Sequence, residues 1–311
     1  MGKVLIATAA ALLCLAANTA CAENCPLKLI ASYDMANTNA VVAIPIVMAG
    51  KPRYTSLDTG SFASWVTQKF INDDMLETHD ITAMKVYGSS ARASKYVVVP
   101  SVDIGPIHQP ASNFMVEPAK HMGEISAGLG NNALAQFDVE FDFAARKVKF
   151  FSQDHCQGKV VYWTGAYTEL PFNMLDDQIH IVMTLDGHDF DTVFDTGTSY
   201  TYVNKRVFVG VFGGDDASEK EVTVHDHKAK AATFKSLSVG GVTFPNPSLL
   251  IMEDKMRELA KDDVPVKDQN QAGVTLMHFP HILLGLDALS HLHFYIAFKE
   301  HKIYVTAADA H

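Results

Sequence analysis

The sequence predicts an all-β protein built as two tandem lobes, each a closed, barrel-like set of short strands, with a cleft between them. Three observations lead there. A segment beginning near residue 41 is repeated 137 residues later, a second block is repeated at an offset of 155, and Val, Ile, Phe and Tyr are plentiful between scattered Gly and Asn turns.

The first repeat lays IPIVMAGKPRYTSLDTGSFASWV over IVMTLDGHDFDTVFDTGTSYTYV, matching Gly50 with Gly187, Thr55 with Thr192, Leu57 with Phe194 and Val66 with Val203. Each copy reads as a strand, a Gly-centred turn, a second strand, a turn carrying an acid, and a third strand. The second repeat lays GNNALAQFDVEFDFAARKVKFF over GLDALSHLHFYIAFKEHKIYVT, pairing Gly130 with Gly285, Phe143 with Phe298 and Lys147 with Lys302. A short helical turn leads there into two strands whose apolar residues alternate, as in Val139, Phe141 and Phe143 or Phe294, Ile296 and Phe298. The larger second offset places an insertion in the second copy, assigned to the polar run 253–273 as a short helix with a loop.

The division that follows is a signal peptide over 1–22, an N-terminal segment over 23–40, a first lobe over 41–151, a linker over 152–168, a second lobe over 169–306 and a tail over 307–311. Lys3, the apolar run 4–17 and Ala20-Cys21-Ala22 form the export signature. That apolar run is too short to span a bilayer, and nothing later supplies a transmembrane segment, so the mature chain is expected to be exported, periplasmic or secreted. A lipid anchor on Cys21 is the lesser alternative, because Asn18-Thr19-Ala20 lacks the usual leucine. Removing the leader leaves Cys25 and Cys156, expected to form a disulfide in an oxidising compartment and to contribute about 4 to 5 kcal/mol on a loop-entropy model. Two unpaired buried thiols are the other possibility.

Charge excludes little but one class. Lys and Arg number 25 against 35 Asp and Glu, with 14 His, and no basic tract or basic-aromatic pattern is present, so nucleic acid is not an expected partner. His225-Asp226-His227 and His291-Leu292-His293 alternate as strand residues do, but no third ligand stands at metal-site spacing; surface or hairpin histidines and no metal are expected. Neither a G-x-S-x-G nor a G-x-x-x-x-G-K pattern occurs.

The chemistry lies in the duplicated acid turns, Asp58-Thr59-Gly60-Ser61 and Asp195-Thr196-Gly197-Thr198. One such turn is ordinary. Two, related by a pseudo-twofold axis, bring equivalent residues face to face, so Asp58 and Asp195 become a close pair that shares one proton. Such a pair holds a water between a base and an acid. Gly60 and Gly197 permit close approach, Thr59 and Thr196 offer hydroxyls to lock the turns together, and Ser61 and Thr198 are expected to donate to the outer carboxylate oxygens.

These residues resemble the aspartic proteases of the pepsin and retropepsin superfamily. The signature of two hydrophobic residues followed by Asp-Thr-Gly-Ser/Thr is met by Val193-Phe194-Asp195-Thr196-Gly197-Thr198 and, with Ser56 in place of the first hydrophobic residue, by Ser56-Leu57-Asp58-Thr59-Gly60-Ser61. The later hydrophobic-hydrophobic-Gly element is similar to Leu283-Leu284-Gly285 and, less closely, to Gly128-Leu129-Gly130. The resemblance covers nearly the whole mature chain, with lobes nearer retropepsin than pepsin size. It implies a bilobal acid-protease fold and an aspartic endopeptidase acting on an extended polypeptide, without metal or organic cofactor. It also implies a flap hairpin, here with Tyr87 and Gly88 near its tip; the corresponding His225-Asp226 stretch has no Tyr-Gly. A monomer with an internal pseudo-twofold is expected, since one chain carries both halves. A secreted peptide-binding or scaffold protein of the same fold is the rival reading.

Overall fold

The computed structural model describes residues 26–36, 41–81, 86–87, 92–93, 95–117, 123–215, 218–224, 227–252 and 280–308. The leader, Cys25, the 253–273 insertion and the C-terminal tail's last residues lie outside the described residues.

Alternating burial along the predicted strands builds two large sheets of matching topology. The first runs Ile107–Gln109, Val102–Ile104, Ala43–Met48, Lys51–Leu57, Ile125–Leu129, Trp65–Thr67, Ser112–Glu117, Lys95–Val99, Thr78–Asp80. The second repeats that order as Val242–Pro245, Ser236–Val239, Gln178–Leu185, His188–Phe194, Ile282–Leu284, Tyr202–Asn204, Ser248–Met252, His227–Thr233, Lys220–Val224, with Asn173–Leu175 added beside Gln178–Leu185. Short helices follow at equivalent places. Gln68–Asp74 begins where the Thr67 hydroxyl accepts from the N–H of Phe70 at 3.3 Å, and Lys205–Gly210 where the Asn204 side chain accepts from the N–H of Arg206 at 2.8 Å.

The expected closed, barrel-like lobes are not what forms: both sheets are open. The strands that would close each lobe pair with their counterparts instead. A third sheet of six strands runs Leu29–Asp34, Lys147–Phe151, Asp138–Asp142, Leu292–Ala297, Lys302–Ala307, Thr168–Pro171, so the two repeats share it half and half. At its centre Asp138–Asp142 and Leu292–Ala297 are antiparallel, with Phe141 opposite Phe294 and Val139 opposite Ile296. Glu140 faces Tyr295, its own equivalent at the 155 offset, so the pseudo-twofold axis passes between those two residues.

Aromatic side chains pack across this junction. Phe141 and Phe294 stack at 4.9 Å between ring centroids, and Phe194, the residue before the second acid, meets Phe294 edge to face at 4.9 Å. One buried cluster extends from Leu57 and Leu129 in the first repeat to Phe194 and Leu284 in the second. The shared sheet therefore forms a continuous floor beneath both acid turns. Among the described residues no helix is long and apolar enough to cross a membrane.

Candidate active site

Each acid stands one residue past the end of a buried strand, Lys51–Leu57 or His188–Phe194. That strand lies parallel to the one carrying the later glycine element, with Leu57 beside Leu129 and Phe194 beside Leu284. The ladder continues beyond the strand: the N–H of Asp58 donates to the Leu129 carbonyl at 2.9 Å and that of Asp195 to the Leu284 carbonyl at 3.0 Å. The chain then turns over the end of its neighbour and returns along the other side, with Trp65 opposite Gly128 and Tyr202 opposite Leu283. Backbone ladders on both flanks thus aim the carboxyls.

Beneath each turn a glycine admits the crossing chain. A Cβ on Gly130 would stand 2.7 Å from the Ala63 carbonyl, and one on Gly285 would overlap the Tyr200 carbonyl. Matching hydroxyls clamp the loops: Ser64 accepts from the Gly130 N–H at 3.1 Å and donates to Asn132 at 2.8 Å, while Thr201 accepts from the Gly285 N–H at 3.1 Å and donates to Asp287 at 2.5 Å.

The two turns meet on the axis. Thr59 donates its hydroxyl to the Phe194 carbonyl at 2.6 Å, and Thr196 donates its own to the Leu57 carbonyl at 2.6 Å. Each hydroxyl oxygen also accepts the other threonine's N–H, at 3.2 Å from Thr59 and 3.0 Å from Thr196. Both threonines are fully buried, so this reciprocal set holds the turns in one register. Gly60 packs against the Asp195 carboxyl and Gly197 against that of Asp58, where a Cβ on either would overlap the carboxyl group. Gln178 donates to the Gly60 carbonyl, and Asn131 donates to the carbonyls of Thr59 at 2.7 Å and Asp177 at 2.7 Å, tying the first turn to the second repeat.

The carboxyls of Asp58 and Asp195 are hydrogen-bonded to each other. Burial pushes Asp195 well above the ordinary carboxylate range, and the charge of Asp58 pushes it further; the Gly197 N–H at 2.7 Å opposes the rise only in part. Burial raises Asp58 as well, but hydrogen bonds from the Trp65 indole at 3.3 Å, from Asp195 and from the N–H groups of Gly60 and Ser61 counter it. Both carboxyls are thus raised, Asp195 further than Asp58.

With this geometry stands a likeness in overall shape. The aspartic proteinase from Irpex lacteus superposes with a TM-score of 0.51 at 12% identity, over 90% of this chain and 97% of that one. The fold is that of a pepsin-like aspartic proteinase. Basic 7S globulin from soybean matches at 9% identity over 92% of this chain and 96% of the other, with a TM-score of 0.49. No protein-family model and no curated protein sequence matches the chain.

Within the pepsin-like fold, several predicted residues stand elsewhere than expected. The Ser61 hydroxyl donates to the Ala63 carbonyl at 2.8 Å, and it is the backbone N–H of Ser61 that serves Asp58. The Thr198 side chain is bonded to the phenol of Tyr202. In a turn this tight the backbone N–H groups already point at the carboxylate, which frees the hydroxyls for local partners. Tyr87 belongs to a two-residue strand, Val86–Tyr87, paired antiparallel with Arg92–Ala93; Gly88 lies outside the described residues. Ser56 is buried, with its hydroxyl directed to the Ala127 carbonyl at 3.5 Å.

His293 corrects the expectation of a surface histidine. It is buried, stacks on Trp163 at 4.1 Å and bonds Glu140 at 3.1 Å. Glu140, Asp142 and His293 bring possible ligand atoms within 4.8 Å of one another. The Lys149 ammonium at 2.7 Å and the Tyr162 hydroxyl at 2.6 Å already serve Glu140, so the cluster is a satisfied ion-pair network. Sequence reasoning missed Trp65, Ser64, Thr201, Asn131 and Gln178. The signal for Ser64 and Thr201 was present, since they are equivalent at the 137 offset.

Proposed function

We propose that the protein is an aspartic-type endopeptidase that hydrolyses peptide bonds with a water held between Asp58 and Asp195. The carrying observation is the hydrogen-bonded carboxyl pair on the pseudo-twofold axis, both members raised by burial and Asp195 raised further by the charge of Asp58. Asp58 takes a proton from the water as it attacks the scissile carbonyl, and Asp195 donates its proton to the carbonyl oxygen. The proton gained by Asp58 is then available to the leaving amine. Thr59, Gly60, Thr196 and Gly197 maintain the spacing this exchange needs.

In this reading the substrate lies extended in the interlobe cleft as an added strand, under a first-lobe hairpin that includes Tyr87 and Gly88. The mature protein is exported after loss of residues 1–22 and acts as a monomer of two lobes, 41–151 and 169–306. Cys25 pairs with Cys156, a reading supported by the disulfide-bonded state of Cys156. The test is cleavage of a mixed peptide library with and without a statine inhibitor, whose hydroxyl mimics the tetrahedral intermediate. Statine-sensitive cleavage is expected. A protein that binds peptides and cuts none would instead be a binding module of the same fold.

A further inference from the structure

The twofold relation between the acid turns fails at the residue pair Trp65 and Tyr202. Trp65 and Tyr202 are equivalent at the 137 offset and occupy equivalent strands, each returning beside the glycine-element strand. Their polar atoms go to different places. The Trp65 indole N–H donates to Asp58 Oδ2 at 3.3 Å, whereas the Tyr202 phenol bonds Thr198.

An indole nitrogen is a donor only and carries no titrating proton near neutrality. Directed at a carboxyl oxygen, it favours the anion over the neutral acid, because the charged oxygen is the stronger acceptor. The ring is held where it must be. Trp65 is 8% exposed and packs with Ala43, Ile125 and Met115, none of them ionisable. The ionisable groups at this end of the site, among the described residues, include Asp58 and Asp195, and Tyr202, which feels the charges of Tyr200, Asp287 and Asp195.

Gly128 supplies the room. A Cβ there would overlap the six-membered and pyrrole edges of the indole, including Nε1. The equivalent residue in the second repeat is Leu283, opposite Tyr202. The departure of Gly128 from a hydrophobic residue therefore has a steric cause: it makes the slot in which Trp65 reaches the first acid.

Building on the endopeptidase reading, we propose that Trp65, seated on Gly128, is the positioning residue that makes Asp58 the anionic member of the dyad. The water proton therefore goes to Asp58, and Asp195 is the acid that faces the substrate carbonyl. The asymmetry fixes which way the cleft works although the scaffold around it is duplicated.

The test has a kinetic arm and an arm that needs no turnover. The chain has two tryptophans, Trp65 and Trp163, so Trp163→Phe leaves Trp65 as the sole indole reporter. Its emission is expected to titrate with a single step, to lose that step in Asp58→Asn, and to keep it in Asp195→Asn, where the titrating carboxyl is still present. In Trp65→Phe the acid limb of kcat against pH is expected to move up by about one unit, the value of one donor to a charged group, with KM nearly unchanged. Gly128→Ala displaces the indole without removing it and is expected to give the same shift, which covers failure of Trp65→Phe to fold. An unmoved acid limb in a folded variant, or an emission step that survives Asp58→Asn, overturns the proposal while leaving the protease standing. An Asp58-dependent step in a protein that cuts no peptide supports the Trp65 assignment and removes the enzyme reading alone.

Discussion

Asp195 carries an electrostatic cost. Its folded pKa stands well above the ordinary 3.8, through burial and then the Asp58 charge, so the folded state holds a proton that the unfolded chain releases. A carboxyl raised in this way costs stability as pH climbs from about 4 through its folded value, and costs nothing below about 4. Asp195→Asn is therefore expected to raise Tm at neutral pH, by about 2–4 °C per kcal/mol relieved, with the gain vanishing near pH 4 in calorimetric scans. The buried threonines give a second prediction at this scale. Thr59→Ala leaves the Thr196 N–H and the Phe194 carbonyl without their partner, and is expected to cost about 2–4 kcal/mol in denaturant unfolding, whereas Thr59→Ser costs under about 1 kcal/mol. Of these residues the sequence announced the acids, threonines and glycines, because they are duplicated. It misassigned the Ser61 hydroxyl, since which donor serves a carboxylate depends on the path of a single turn.

At the scale of the element, the acid turn works because two ladders and one glycine hold it over the end of a strand. Gly285→Ala would drive a methyl group into the Tyr200 carbonyl, so the turn must shift or the strand must slip. Loss of about 1–3 kcal/mol is expected, with peptide cleavage reduced at least tenfold because the Asp195 carboxyl moves with the loop. Unchanged kinetics in that variant would show that the loop adapts. The apolar-apolar-Gly element was legible in the sequence, and so was its weak form at Gly128-Leu129-Gly130. The reason for the weak form was not: Trp65 and Gly128 are 63 positions apart and meet only when Ile125–Leu129 pairs with Trp65–Thr67.

Across the whole molecule, the repeats were legible as repeats but not as partners. Each copy of the second block reads as the closing hairpin of its own lobe, and nothing local distinguishes that from pairing Phe141 with Phe294 across the axis. The shared sheet that results also carries an ionic clasp. His155, from the linker, bonds Asp138 of the first repeat at 2.5 Å and stands 3.5 Å from Glu300 of the second. Burial opposes its charge, but the bonds to Asp138 and the Cys156 carbonyl and the charges of Asp138 and Glu300 outweigh it and hold its pKa above 6.5. A histidine raised in this way contributes stability fully below about pH 6.5 and loses it as pH rises through the folded value. The expected outcome is a Tm that declines across that window in the native protein and a flatter profile in His155→Gln.

The central claim is that Asp58 and Asp195 act as one proton-sharing pair. It is tested most directly by the pH dependence of peptide cleavage by the mature protein, measured beside Asp58→Asn and Asp195→Asn. The account predicts a bell-shaped profile on the acid side of neutrality, its acid limb set by protonation of Asp58 and its upper limb by loss of the Asp195 proton, with cleavage abolished in both variants. A rate that climbs steadily into alkaline pH, or substantial cleavage surviving either substitution, would contradict it.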